Sequence, residues 1–222
     1  LPTSKSVADS HMIKNMEWGA VAYLTNSSYG RCSGKGCDEV TNNDCNTYIT
    51  GIGADTVSAS NSLTTCTTDA NKYNGEKGVL ASTTGNVYGV YDMSGGAHDY
   101  VMGNMSSTSD SYTFNNTYAK FSSDWYSSNQ KYIDTYANYS ASGSTQASYN
   151  RARLGDATGE VAYLNGNGWY SDSALFPNSS NSWFARGGYY INSSNAGIFN
   201  FGYDNGGAFD FYSTRATLVS LK

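Results

Sequence analysis

The chain is expected to fold as an α+β domain in which long irregular loops connect one helix and a set of short antiparallel strands. Three observations lead there. A single helical repeat lies near the start, a long stretch rich in Gly, Asn, Ser and Thr follows it, and the last forty residues hold short apolar runs broken by turn residues. With 222 residues and two prolines, residues 1–222 are read as one domain, long enough to bury a real core.

Ser10 to Leu24 is the helical repeat. Ser10 is placed to cap it, and Met12, Met16, Ala20 and Leu24 recur every four residues, with Ile13 and Val21 widening the stripe. Met12 and Met16 are read as core, and His11 as a surface residue at the helix start. Residues 26–84 form a turn-rich excursion that carries all four cysteines, Cys32, Cys37, Cys45 and Cys66. Two disulfides are the leading reading, which places the protein in an oxidising compartment. Cys32 with Cys37 and Cys45 with Cys66 is the pairing favoured among three, because these closures do not cross. A zinc site would want C-x-x-C knuckles, which these spacings lack.

Gly85 to Met102 reads as a buried turn and strand, with Val87, Val90, Tyr91 and Met93 supplying apolar contacts and Gly95-Gly96 an unusual backbone. Lys120 to Tyr139, with Phe121, Trp125, Tyr132, Ile133 and Tyr136, predicts a short helix among loops. Val161 to Leu164 and Trp169-Tyr170 flank Asn165-Gly166-Asn167-Gly168 as a hairpin. Short strands are expected around 183–186, 196–201 and 214–221.

Charged residues make up 14% of the chain and the net charge is -5, so there is no basic footprint for nucleic acid. No apolar run approaches membrane-spanning length, and direct membrane insertion is not expected of this segment. The chain starts Leu1-Pro2 with no charged-then-apolar leader, so any signal or anchor is expected to lie outside the given sequence.

Trp183 to Lys222 interleaves two kinds of position. Trp183, Phe184, Arg186, Gly187, Gly188, Ala196 to Phe199, Phe201, Ser213, Arg215, Ala216, Leu218 and Val219 look like scaffold. Between them stand Tyr189, Tyr190, Ile191, Asn192, Ser193, Gly202, Tyr203, Asp204, Asn205, Gly207, Phe209, Asp210 and Phe211, whose sizes and polarities specify no inward face. Residues 189–212 therefore read as a display surface. Tyr189, Tyr190, Tyr203, Phe209 and Phe211 are its expected aromatic anchors, and Asp204 and Asp210 its charge selectors. Arg186 and Arg215 are assigned structural work beneath it, and Gly187-Gly188 a close backbone approach.

Gly85 to Tyr100, reading GNVYGVYDMSGGAHDY, resembles the signature of formylglycine-generating-enzyme-type (sulfatase-modifying-factor) domains, a branch of the C-type lectin fold. Glu17 to Tyr23 resembles that family's W-x-x-A-x-A-Y helix, and Arg186-Gly187-Gly188 through Arg215 its closing strands. The likeness departs at Gly96, Ala97, His98 and Tyr100, where the family usually has Asn, Val, Trp and Trp. The closing segment further resembles the variable region of proteins diversified by retroelements, in which adenine-directed mutagenesis acts mainly on Asn codons. Randomising the two adenines of such a codon never yields Lys, Glu, Gln, Met or Trp, and residues 189–215 contain none of them, where composition alone places about three.

The resemblance implies a diversity-generating-retroelement variable protein that binds a macromolecular ligand, protein or glycan, on a cell or phage exterior. It is not expected to be an enzyme. The family's oxidases need reactive cysteines near the closing strands, and no cysteine follows Cys66. His98-Asp99 is the one acid-base candidate and has no nucleophile at a recognisable spacing. No cofactor is called for. Calcium is the open alternative, because some C-type lectin folds carry it and Asp92, Asp99, Asp156 and Asp172 offer carboxylates, although no D-x-D-x-D-G spacing exists. Arg151, Arg153 and Asp156 read as a solvated ion-pair cluster rather than an anion site. The alternative function is a self-assembling structural subunit, pilin-like or at a tail-fibre tip.

Overall fold

The first strand, β1 (Ala8–Met12), pairs antiparallel with the last, β9 (Ala216–Ser220), Ala8 facing Ser220 and Met12 facing Ala216. The computed structural model describes residues 8–40, 72–105, 123–136, 154–163, 166–177, 181–189 and 192–220.

Helix α1 (Asn15–Thr25) starts five residues later than the repeat predicts. Ser10 lies in β1, where strand pairing already occupies the backbone that the helix would use. Glu17 supplies the start signal, accepting the Lys14 backbone N–H at 2.9 Å, and the Asp134 carboxylate accepts that of Met16 at 2.7 Å. Both place negative charge against the helix's positive end. The inward face is also rotated from the expected stripe, for Asn15, Trp18, Gly19, Ala22 and Thr25 are buried while Leu24 and Ala20 are exposed. Trp18 sets that rotation. It is the largest side chain buried here, and its indole N–H reaches the Ile198 carbonyl at 2.8 Å. A Cβ at Gly19 would fall 2.3 Å from the Gly155 carbonyl, so the helix can approach that loop only with glycine there.

The main sheet centres on β4 (His98–Met105). One edge of β4 pairs antiparallel with β6 (Trp183–Arg186), which pairs antiparallel with β7 (Phe201–Asp204). The other edge takes parallel partners, β8 (Tyr212–Thr214) along His98–Tyr100 and β5 (Asp134–Tyr136) along Gly103–Met105. An all-antiparallel set is therefore not what forms. Parallel pairing needs a long connection, and each of these strands returns to β4 after one. Between them the Met102 N–H donates to the Ile13 carbonyl at 2.8 Å, so three separate segments line that edge.

Trp18, Met93, Val101, Phe176, Phe184, Phe199 and Phe201 make the main core beneath the sheet, with Phe176 packed edge-on to Phe201 at 4.7 Å. Met102, Ile133 and Trp183 make a smaller cluster, to which Met12 and Trp125 add partial cover. The short helix expected in 120–139 is present as α2 (Ser123–Ser128).

In the cysteine-bearing excursion, Cys32 and Cys37 form a disulfide across a two-residue-per-strand hairpin, β2 (Cys32–Ser33) with β3 (Gly36–Cys37). Cys45 and Cys66 lie outside the described residues. The buried turn expected at 85–102 is only partly buried. Met93 is inside, but Val87 and Val90 are exposed, and Tyr91 gives its hydroxyl to the Tyr73 carbonyl at 2.6 Å. His11 is half-buried and not a surface residue, its Nε2 lying 2.9 Å from Glu17 Oε1. Of the hairpin predicted at 161–170, the described residues show an antiparallel bridge between Ala162 and Gly168, and Leu164 and Asn165 lie outside them. Among the described residues no helix is long and apolar enough to cross a membrane.

Candidate binding face

β6 leads into Gly187 and Gly188, whose φ values of 82° and 70° lie in the left-handed region that glycine tolerates. Space forbids replacement at Gly188 as firmly as backbone geometry does, and at Gly187 it is tight. A Cβ on Gly188 would sit 2.6 Å from that of Ala196, and one on Gly187 would lie 3.2 Å from the Met93 carbonyl and 3.3 Å from the Trp18 ring. Further on, a Cβ at Gly197 would fall 2.0 Å from the Asp172 carboxylate, whose Oδ2 accepts the Phe199 N–H at 2.9 Å. Ala196 to Phe201 are all buried.

The positions between these fixed points differ in kind. Gly202 has no atom within 4 Å of where a Cβ would stand, so a methyl group finds open space there. Tyr203 is 40% exposed, Phe209 50% exposed, and Asp210 is on the surface. Tyr189 and Phe211 are half-buried. Tyr190 and Ile191 lie outside the described residues. Asn192 and Asn205 serve their own turns, their side-chain oxygens accepting the N–H of Tyr189 at 2.8 Å and of Gly207 at 2.9 Å.

Two of the expected display residues work inward. Asp204 accepts hydroxyl hydrogens from Tyr100 and, at 2.9 Å, from Tyr212, and the Gly206 N–H at 3.0 Å. A carboxylate so occupied holds the loop and has little left for a ligand. Gly207 is buried, and its carbonyl accepts from Tyr100 at 3.0 Å.

Around them runs a ladder of rings. Tyr100 stacks on Tyr212 at 4.4 Å, Tyr212 on His98 at 5.3 Å, His98 contacts Tyr189 at 4.8 Å, Tyr189 stacks on Phe211 at 5.2 Å, and Phe211 on Phe209 at 5.3 Å. Sequence reasoning found Tyr189, Phe209 and Phe211 but missed His98, Tyr100 and Tyr212. Alternation in β4 was the available signal, since His98 and Tyr100 share one face, and Tyr212 lies opposite His98 in register. Burial pushes the His98 pKa down to about 4, so the ring is neutral at physiological pH.

Two arginines bracket this segment from below. Arg186 is fully buried, donating to Asn15 Oδ1 at 3.2 Å, the Asp156 carbonyl at 3.3 Å and the Ala157 carbonyl at 3.0 Å, with its guanidinium between the Trp18 and Phe201 rings. Burial lowers its pKa to about 10, still cationic. Arg215 places Nε 2.5 Å from the buried Asp99 carboxylate and also donates to the Asp92 carbonyl.

Asp99 therefore does not orient His98. Its oxygens go to Arg215 and Ser213, and burial, opposed by Arg215, raises its pKa. Asp156 accepts from Tyr136 and from the Thr158 N–H at 3.0 Å, inside the core rather than in a solvated cluster. Arg151 and Arg153 lie outside the described residues. The four aspartates raised as calcium donors are not gathered, for among the described residues no three of His, Cys, Asp and Glu come together to hold a metal.

What fold and face define together is an α+β domain that carries an aromatic, partly open surface on a glycine-locked frame. Comparison with protein-family models, with curated proteins and with solved structures finds no match to this chain.

Proposed function

We propose that this chain is a non-enzymatic recognition domain of the C-type lectin-like, formylglycine-generating-enzyme type, whose diversified C-terminal surface binds a macromolecular ligand outside a cell or virion. One observation carries the reading: within residues 187–211, glycines of the frame leave no space for a side chain, whereas Gly202, Tyr203, Phe209 and Asp210 stand in the open. A frame that fixes the backbone independently of the displayed residues is what sequence diversification requires. The Cys32–Cys37 disulfide supports an oxidising, extracellular setting.

Two measurements test it. Randomising codons 202, 203, 209 and 210 together and sorting for folded protein is expected to retain most sequences, while the same treatment of 187, 188, 197 and 201 retains few. Equal losses in the two libraries sink the reading. Sequencing the locus is expected to find a reverse transcriptase gene and a near-duplicate of the segment that differs at adenines.

A further inference from the structure

We infer that the partner of this face is a polypeptide presenting an arginine or lysine side chain, which lies over the stacked Phe209 and Phe211 rings that flank Asp210 in sequence. The inference rests on the reading of the face as a binding surface and adds the chemistry of what it takes.

Ring geometry supplies the first part. Phe209 and Phe211 are nearly parallel, with an interplanar angle of 10°, and Tyr189 continues the stack at 29°. Phe209, which also meets Tyr212 at 5.9 Å, is half exposed. An aromatic face carries negative charge density and attracts cations, guanidinium above all because it also stacks flat.

Charge supplies the second. From Gly187 to Thr214 the chain has two acids, Asp204 and Asp210, and no Lys, Arg or His. Other charged groups near the ladder do not alter this sign. Arg215 is held by Asp99, Arg186 is buried, and His98 is a neutral ring within the stack. Asp204 adds negative potential while its oxygens hold Tyr100 and Tyr212. Asp210 is exposed and flanked in sequence by the two stacked rings, so a cation drawn to the rings is also drawn by its charge. An anionic ligand would find no donor of positive charge. A neutral sugar would stack on the rings and give hydroxyl hydrogen bonds to the acid, but would leave its charge uncompensated.

Short peptides test this on the folded chain, followed by amide NMR at about 1 mM probe, where weak contacts are still populated. The probes are acetyl-Gly-Arg-Gly-Arg-Gly-amide, its citrulline twin of the same shape without charge, and maltohexaose. The arginine peptide is expected to shift the amides of 209–212 and to bind about tenfold more tightly than the citrulline peptide, the order of one partly desolvated cation–aromatic contact. Asp210→Asn and Phe209→Ser are each expected to remove most of that preference, while Glu76→Gln, an equal charge change on another exposed residue, leaves it. Equal binding of the two peptides, binding of maltohexaose alone, no binding of any probe, or a preference that Glu76→Gln removes as fully as Asp210→Asn overturns the cationic assignment and leaves the recognition reading standing. Loss of the folded spectrum in Phe209→Ser overturns the display surface itself.

Discussion

Phe201 and Phe209 are the same side chain eight positions apart, and truncating each to alanine separates frame from display. Phe201 is fully buried, wedged between Phe176 at 4.7 Å and Phe184 at 6.3 Å with the Arg186 guanidinium over its face. Phe201→Ala removes the ring and leaves a cavity in a close-packed site, a loss of about 3–5 kcal/mol. Phe209 keeps half its surface in water, so its truncation forgoes about half the transfer free energy of a phenyl ring, about 1 kcal/mol. Its stacking on Phe211 contributes a further ~0.5 kcal/mol. Equilibrium unfolding in urea, read by fluorescence and circular dichroism together, measures both. The expected outcome is a midpoint far lower for Phe201→Ala than for Phe209→Ala at similar slope, a gap of about 2 kcal/mol or more. Equal losses from the two variants would refute the division, since Phe209 would then be an interior ring.

Gly197→Ala, whose new methyl collides with the Asp172 carboxylate, is expected to cost about 1–3 kcal/mol, and Gly202→Ala almost nothing, as thermal denaturation of the pair will show. Asp172 is buried with Oδ1 unpartnered, and burial holds its pKa well above the usual carboxylate range. A group raised in this way takes up a proton on folding, so its contribution is greatest below the unfolded value of about 3.9 and declines as pH climbs through the folded one. Asp172→Asn keeps the acceptor for Phe199 without the charge; its stability relative to the parent chain is therefore expected to be higher at pH 7 than at pH 4, with no pH dependence of the difference as the contrary result. Replacing Cys32 and Cys37 by serine opens a loop of five-residue separation and is expected to cost about 2 kcal/mol, measured by denaturation, with no loss as the contrary result.

The strand expected at 196–201 is instead a buried turn, closed by the Asn200 N–H on the Gly197 carbonyl at 3.0 Å, and the strand there is Phe201–Asp204. The α+β class, the first helix and the strands expected at 183–186 and 214–221 were legible because periodicity and turn chemistry are local. The helix start was not. Ser10 has the right chemistry to cap, but β9, some two hundred residues away, claims that backbone for a strand, and no local pattern announces it. The inward face of α1 was likewise set by one residue, Trp18, whose indole finds its acceptor at Ile198. Parallel pairing of β5 and β8 with β4 depends on long connections that leave no periodic trace. In the candidate face, the open positions 202, 203, 209 and 210 were legible as residues with no consistent polarity. Asp204 and Gly207 look the same in sequence, yet the hydroxyl of Tyr100, a hundred residues earlier, draws both inward. His98 and Tyr212 joined the ladder unseen because their meeting is a matter of register between strands.

Arg186 and Arg215 grip the polypeptide at its entry to and exit from the face, each through groups that belong to other parts of the fold. Between Gly207, whose carbonyl the Tyr100 hydroxyl holds, and Tyr212, whose own hydroxyl is held by Asp204, the chain runs through the exposed Ala208, Phe209 and Asp210, and lengthening such a closed loop by a few residues adds only a small, logarithmic entropic penalty. The architecture thus accommodates change in length as well as in identity at one place: extra residues between Gly207 and Phe209 extend the turn outward while the strands, the buried run Ala196 to Phe201 and both arginine anchors stay seated.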